Sequence, residues 1–395
     1  MASVSDTQRE AIGVPELHLA QYISVMTNGP SEAAAEAKHK LDAAIMEGSL
    51  THIYKMTCEK ASIPINNELA EQMSKKNEAD IIEIDKKIEL AKEQGDLEMN
   101  SARIERASYF AKIGDKETAI REYNEAFEST SATLNHKLDI SFGLLHLGLF
   151  YLDTKLVTRQ IQTAKELVDR GGDWERRNRL KAYEFVWWSY QRDFEKASKL
   201  FLECTSTFAS TELMPFDDFI EMGCLVSSLA LDRSMIKQKL IGNSEILRVT
   251  TSPVNPIACQ IGQLATSLYD CKYSAFFESL AYVETHYLSI NRYLLKHSRY
   301  YTREMRIKAY AQLLQSYRSL TIKSMATSFG VSEEFIDKEL SRFIVAGRLH
   351  CVIDKVSGIV ETNRPDKKNS QYQATIKQGD LLLNRIQKLS RVVNI

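Results

Sequence analysis

The sequence predicts a mainly α-helical protein: a TPR-like helical solenoid, a winged-helix module with a small β-sheet, and a C-terminal bundling helix. Three observations indicate this fold class. Apolar residues recur every three or four positions along most of the chain, turn-like pairs recur about every 38 to 40 residues, and residues 318–363 change to a helix–turn–helix–hairpin pattern. Only 16 glycines and 7 prolines occur in 395 residues, as expected of helices, whose interiors disfavour both residues.

Residues 1–95 predict an N-terminal helical extension. A helical pattern begins at Pro15 and stops at the breaker Asn28-Gly29-Pro30, where an alanine-rich helix follows. Residues 67–95 are long and charged with a narrow apolar stripe, which predicts a helix that is packed on one side.

Residues 96–317 predict helical repeats. Five turn-like pairs each follow one apolar helix and precede another. The pairs are Gly114-Asp115, Thr154-Lys155, Arg192-Asp193, Asp232-Arg233 and Cys271-Lys272. A period in the high thirties that is built from two helices is typical of a tetratricopeptide-like solenoid, in which each helix pair buries its apolar face against its neighbours.

Residues 318–363 predict the winged helix. A short helix over 321–328 is followed by a second helix that begins after Ser332 and ends near Gly347, where a left-handed cap fits glycine. Two strands around a turn follow within residues 349–362. Leu349, Cys351 and Ile353 alternate as in a half-buried strand, and the open edge of a short sheet can pair with a similar module in another chain.

Residues 364–395 predict a terminal helix that runs from about residue 370 to 393. Its apolar residues form two overlapping stripes, whose alternating spacings of three and four are typical of a helix bundle. One stripe is Tyr372, Ile376, Leu383 and Ile386, and the other is Leu382, Ile386, Leu389 and Val393. Alone, this helix would leave its apolar face in water, so we expect it to need a partner.

Sequence motifs disfavour an enzyme and give no indication of a cofactor or metal. The chain has no glycine-rich phosphate loop, no H-E-x-x-H among its eight histidines and no G-x-S-x-G. Pairs of carboxylates such as Glu333-Glu334 begin helices, where they favour the positive end of the helix dipole.

Nucleic-acid binding is a disfavoured alternative for the winged helix. The second helix holds Glu333, Glu334, Asp337 and Glu339 against Lys338 and Arg342, the wrong balance of charge for contacting phosphates. A separate basic cluster, at residues 176–181, is interpreted as a solvated face of the solenoid.

Charge and hydropathy predict a protein of the cytoplasm and nucleus without a membrane partner. The net charge is −1, no apolar stretch is long enough to span a bilayer, and no secretory leader is recognisable. The six cysteines form no C-x-x-C pair, which favours free thiols in a reducing compartment.

The chain also resembles a known family, in architecture over its whole length and most specifically over residues 319–395. Helical repeats that run into a winged helix are the arrangement of the PCI family, which is named for the proteasome lid, the COP9 signalosome and a translation initiation factor. Three runs are similar to those of a member from the proteasome lid: GRLH at 347–350, IVETNRPD at 359–366 and GDLLLNRIQKL at 379–389.

The resemblance implies a non-catalytic scaffold subunit of the 26S proteasome regulatory particle lid, which supports lid assembly and ATP-dependent degradation of ubiquitylated proteins. Its implied partners are other PCI-type lid subunits, the lid deubiquitinase subunits and the ATPase base. The alternatives are the equivalent subunit of the COP9 signalosome or of an initiation factor complex, or a nucleic-acid-binding protein.

The resemblance also implies two sets of partner-binding residues. PCI subunits associate side by side through their winged-helix sheets, and their C-terminal helices gather in one bundle. The implied sheet residues are Leu349, Cys351, Ile353 and Ile359, and the implied bundle residues are Leu382, Leu383, Ile386, Leu389 and Val393.

Overall fold

A computed structural model describes residues 13–61, 64–129, 133–363 and 367–393. The chain forms two compact units. The first comprises Met1–Asp270 with Glu278–Thr302, and the second comprises Cys271–Phe277 with Arg303–Ile395.

Helices account for all the regular structure that is described before residue 319. In chain order they are α1 (Leu17–Asn28), α2 (Ser31–Gly48), α3 (Thr51–Ala61), α4 (Asn67–Gln94), α5 (Asp96–Ile113), α6 (Lys116–Glu128), α7 (Leu134–Tyr151), α8 (Thr154–Gly171), α9 (Trp174–Tyr190), α10 (Phe194–Cys204), α11 (Phe216–Ala230), α12 (Arg233–Met235), α13 (Ser244–Thr250), α14 (Pro256–Asp270), α15 (Tyr273–Val283) and α16 (Ser298–Ser316). Short π-helical segments, Ile236–Ile241 and Glu284–Leu288, continue α12 and α15.

The first three repeat turns share one local structure, a left-handed residue followed by a capping aspartate. Gly114, Leu152 and Arg192 have φ values of 88°, 53° and 66°, and an aspartate follows each of them. The carboxylates accept hydrogen bonds from the first turns of α6, α8 and α10, at 3.2 Å for Asp115, 3.3 Å for Asp153 and 3.2 Å for Asp193. The predicted turn at Thr154-Lys155 is therefore wrong by two residues: the turn is Leu152-Asp153, and Thr154 begins α8.

Large side chains fill the core of the first unit. Phe185, Phe201 and Phe219, from α9, α10 and α11, contact one another with ring centroids 5.0 to 5.6 Å apart. Each is fully buried, as stacked helix pairs require. These three phenylalanines are thus core residues that join neighbouring helices of the repeats.

The basic cluster at 176–181 is not a solvated face. Arg176 pairs with Asp139 at 3.1 Å, and Arg179 pairs with Glu212 at 2.7 Å. The two arginine side chains are only 16% and 10% exposed. These cations link α9 to α7 and to the segment after α10, so the prediction for them is wrong, whereas Arg177 is exposed.

The second unit contains the winged helix. After α16 come β1 (Ser319–Thr321), α17 (Ile322–Phe329), α18 (Glu333–Val345), β2 (Cys351–Asp354), β3 (Ile359–Thr362) and α19 (Lys367–Val393). The sheet is antiparallel in the order β1-β3-β2, with Leu320 opposite Val360 and Ile353 opposite the same residue on the other side.

One phenylalanine centres the core of this unit. The ring of Phe329 lies 4.8 Å from Tyr273, 4.9 Å from Phe277 and 4.8 Å from Tyr310, measured between centroids. Gly330, which ends α17, has a φ of 67°, a conformation that favours glycine. The mainly α fold class is confirmed, and the domain boundaries at residues 95, 317 and 363 stay predictions.

Among the helices that the structure describes, none combines the length and the apolar character that crossing a membrane requires.

Candidate functional site

The sheet of the winged helix has two outer strands. Because β3 lies in the middle, β2 and β1 each keep one edge without a strand partner among the described residues. Such an edge presents backbone N–H and C=O groups to another chain. The hairpin therefore offers a surface for strand pairing.

The four predicted sheet residues differ in burial. Leu349 and Cys351 are 5% and 4% exposed, so their side chains belong to the core of the chain itself. Ile353 and Ile359 are half-buried. On β2, Val352 is 53% exposed, and Val356 at the hairpin turn is fully exposed; the analysis of the sequence singled out neither.

A buried polar cluster joins the winged helix to α16. Glu339 of α18 accepts hydrogen bonds from Arg306 at 2.9 Å and from the hydroxyl of Tyr310 at 3.2 Å. Burial and the charge of Glu339 raise the pKa of Tyr310, so its hydroxyl stays protonated as a donor. Arg348, at the start of the hairpin, pairs with Glu304 of α16. These pairs fix the hairpin and α18 on α16.

Helix α19 exposes its apolar residues. Every residue of α19 whose burial is described is exposed to solvent. The predicted bundle residues are Leu382 (60% exposed), Leu383 (57%), Ile386 (52%), Leu389 (65%) and Val393 (73%). Leu381 and Val392 are 60% and 71% exposed as well, so the apolar surface is wider than the two predicted stripes. An exposed apolar area of this kind marks an interaction surface.

The charge on α18 is more balanced than its composition indicates. Glu339 is buried in its ion pair, and Asp337 is half-buried 3.6 Å from the ammonium of Lys355. The charged residues left exposed are two acids and two bases: Glu333, Glu334, Lys338 and Arg342. The exposed face of α18 is therefore neutral although the helix as a whole carries more acids than bases, and a neutral face still lacks the excess of cations that binds phosphates.

Two buried titratable groups of the first unit, Cys204 and Glu221, have raised pKa values. Within the residues that the structure describes, no group of three His, Cys, Asp or Glu side chains is placed to hold a metal ion. Burial raises the pKa of the Cys204 thiol to about 12, which makes it a poor nucleophile. Burial, with repulsion from Asp218, raises the pKa of Glu221 to about 7, and Asn255 donates a hydrogen bond to it at 2.6 Å.

Comparison with known families covers most of the chain. The family described as 26S proteasome subunit RPN7 matches residues 66–239, the PCI domain matches residues 283–364, and the family described as the RPN7/PSMD6 C-terminal helix matches residues 371–393. The 26S proteasome non-ATPase regulatory subunit 6 homolog of Arabidopsis thaliana is 42% identical over 384 residues, which are 96% of this chain and 97% of that protein. The chain belongs to the RPN7 family of 26S proteasome regulatory subunits.

Two further relatives allow the proteasome and signalosome families to be compared. The 26S proteasome regulatory subunit rpn7 of Schizosaccharomyces pombe is 42% identical over 386 residues, 96% of each chain. COP9 signalosome complex subunit 1 of Arabidopsis thaliana is 23% identical over 191 residues, 48% of this chain and 42% of that protein. Similarity therefore supports the proteasome over the signalosome, and the RPN7 family's C-terminal helix coincides with α19.

Proposed function

We propose that this chain is a non-catalytic scaffold subunit of the lid of the 26S proteasome regulatory particle. In this role it supports lid assembly and, through the lid, ATP-dependent degradation of ubiquitylated proteins. The observation that carries the proposal is the exposure of apolar side chains along α19, in a chain of the RPN7 family.

The proposal gives each surface a partner. The exposed residues of α19, among them Leu382, Leu383, Ile386, Leu389 and Val393, pack in a bundle with the terminal helices of other PCI-type lid subunits. The edge of β2 pairs with a neighbouring winged helix, and the buried or half-buried Leu349, Cys351, Ile353 and Ile359 keep that strand in place.

Scaffolding extends to partners outside the PCI family. We place the lid deubiquitinase subunits and the ATPase base among the proteins that the assembled lid brings together, with this chain in the cytoplasm and nucleus where the particle works. Catalysis belongs to those partners. The ion pair of Arg306 with Glu339 holds two helices of the chain together, which supports a structural role for its charged groups.

Purification of the tagged chain from its own cells tests the proposal. Native mass spectrometry of the purified material is expected to show one assembly that contains proteasome ATPase subunits. Recovery with signalosome or initiation factor subunits, without ATPases, would contradict it. Salt-sensitive binding of DNA or RNA by the full chain, together with recovery free of other subunits, would favour the nucleic-acid alternative.

A further inference from the structure

The N-terminal helix α1 bonds to a segment about 270 residues further along the chain, within the same compact unit. The side-chain amide of Gln21 donates to the carbonyl of Ile290 at 3.2 Å and accepts from the backbone N–H of Arg292 at 3.0 Å. Both groups of one side chain are thus used to hold the backbone of residues 290–292, which lie between the π-helical end of α15 and the start of α16.

Arg292 extends this connection to α7. Its guanidinium donates to the carbonyl of Phe150, and its central carbon lies 5.8 Å from the centroid of the Phe150 ring. Phe150 is buried, at 2% exposure. The segment 290–292 is therefore held by α1 through its backbone and by α7 through its side chain.

The beginning of α1 is fixed to α7 independently. The carbonyl of Pro15 lies 3.0 Å from Nε2 of His146, and Nδ1 of His146 lies 3.1 Å from the hydroxyl of Tyr183 in α9. His146 is fully buried, and Leu17, Leu19, Ala20 and Ile23 of α1 are buried as well. The helix is consequently held by its apolar face, by the contact of Pro15 just before its first residue and by the hydrogen bonds of Gln21 near its middle.

None of the three matched family segments includes α1. The helix precedes all three matched segments, whereas residues 290–292 lie near the start of the segment that matches the PCI domain. We propose that α1 is an intramolecular strap, which holds the first residues of the PCI segment against α7, so that release of α1 loosens residues 289–294. The inference does not depend on the proposed proteasome role.

Hydrogen exchange of the purified full-length chain tests the strap. In Gln21→Ala, the two hydrogen bonds to residues 290–292 are lost while the buried face of α1 is unchanged. Because part-buried hydrogen bonds contribute modestly, we expect amides in peptides that cover 289–294 to exchange roughly 10-fold faster. Amides of α1 should accelerate by a similar factor, while those in the middle of α7 stay as in the wild type.

Two matched variants complete the test. Asn28→Ala removes an exposed side chain that bonds only within α1, and it should leave 289–294 unchanged. Gln21→Glu keeps an acceptor for the N–H of Arg292 and should restore part of the protection. Unchanged exchange at 289–294 in Gln21→Ala would overturn the strap, and so would faster exchange confined to α1.

Discussion

Arg306 and Glu339 form an ion pair between α16 and α18, with Nη1 of the arginine 2.9 Å from Oε1 of the glutamate. The glutamate side chain is 9% exposed, and its second oxygen accepts from Tyr310 at 3.2 Å. Both carboxylate oxygens are therefore occupied. Composition alone would count Glu339 among the surface acids of α18. In the structure it anchors that helix to α16.

Removing this carboxylate should loosen the winged helix. Glu339→Ala removes the carboxylate that accepts from both Arg306 and the buried hydroxyl of Tyr310, so we expect a loss of about 3 kcal/mol in the free energy of opening of the second unit. Hydrogen exchange of the most protected amides of α18 measures it. Glu334→Ala, which removes an exposed and distant pair with Lys338 at 3.9 Å, should change this free energy by less than about 0.5 kcal/mol.

At Gly223 the packing against Phe201 leaves no room for a Cβ atom, so an alanine there should destabilise the fold. A Cβ at this position would lie 2.0 Å from Cε2 of Phe201, which is fully buried. We expect Gly223→Ala to reduce the free energy of unfolding by about 2 to 3 kcal/mol. Denaturant unfolding followed by tryptophan fluorescence reports on it, since Trp174, Trp187 and Trp188 all lie in the first unit.

A second glycine provides the control. In α19, a Cβ on Gly379 would meet nothing within 4 Å. Gly379→Ala should therefore leave the tryptophan transition unchanged while raising the helicity of α19, because alanine has the higher helix propensity. Equal unfolding curves for the two variants would contradict the packing described at Gly223.

Because the pKa of Glu221 is raised, replacing this residue with a neutral one should increase the free energy of unfolding by an amount that depends on pH. Its pKa is about 7 in the folded chain against an ordinary 4.5, because of burial first and Asp218 second. Between these values the folded state binds more protons than the unfolded state, so this group lowers stability as pH rises. Glu221→Gln should be more stable than the wild type at pH 8, by up to about 3 kcal/mol.

The same variant should lose its advantage in acid. Near pH 5 the buried carboxyl is protonated and resembles the amide, so the two unfolding free energies should converge. The measurement is the difference between wild type and Glu221→Gln at the two pH values. A difference that stays constant from pH 5 to pH 8 would show that Glu221 does not titrate as described.

Sequence periodicity predicted the helical repeats and the winged helix because local signals coincide there. Ser332 caps α18 by accepting from the N–H of Phe335, and Gly347 has the left-handed φ of 67° that its position predicts. Pairings over long separations left no local signal. Arg179 and Glu212 are 33 residues apart, and Gln21 and Arg292 are 271 apart.

The sequence predicted that α19 and the hairpin form interaction surfaces, but it did not identify all of their exposed residues. Spacings of three and four marked α19 as a helix in need of a partner, but only its structure shows Leu381 and Val392 to be as exposed as the predicted residues. In the hairpin, alternation predicted the buried positions Leu349 and Cys351, whereas the exposed Val352, which follows Cys351 on β2, was not singled out.

A charge on the outer strand should weaken strand pairing with another chain. Val352 is 53% exposed on β2, so Val352→Lys should leave the isolated chain folded. Lysine on an edge strand opposes pairing with a neighbour. We expect a several-fold smaller fraction of the variant in the assembled lid, measured by native gel of extracts that express tagged wild type or variant, with Lys355→Ala in the same hairpin as a control that assembles normally.

The role of α19 is tested most directly by placing charge on its apolar surface. Leu382→Asp combined with Leu389→Asp adds two charges where helices of a bundle would meet, and burying unpaired carboxylates there is costly. Gln378→Asp combined with Gln387→Asp adds the same charge to the same helix at polar positions. Because the leucines are 60% and 65% exposed, both double variants should fold like the wild type when purified alone.

The decisive measurement is the fraction of each tagged chain that co-purifies with proteasome ATPase subunits. We expect the Leu382/Leu389 variant to lose at least about 90% of this fraction, and the Gln378/Gln387 variant to match the wild type. Normal incorporation of the leucine variant would contradict the assignment of α19 as an assembly helix, and with it the proposed scaffold role.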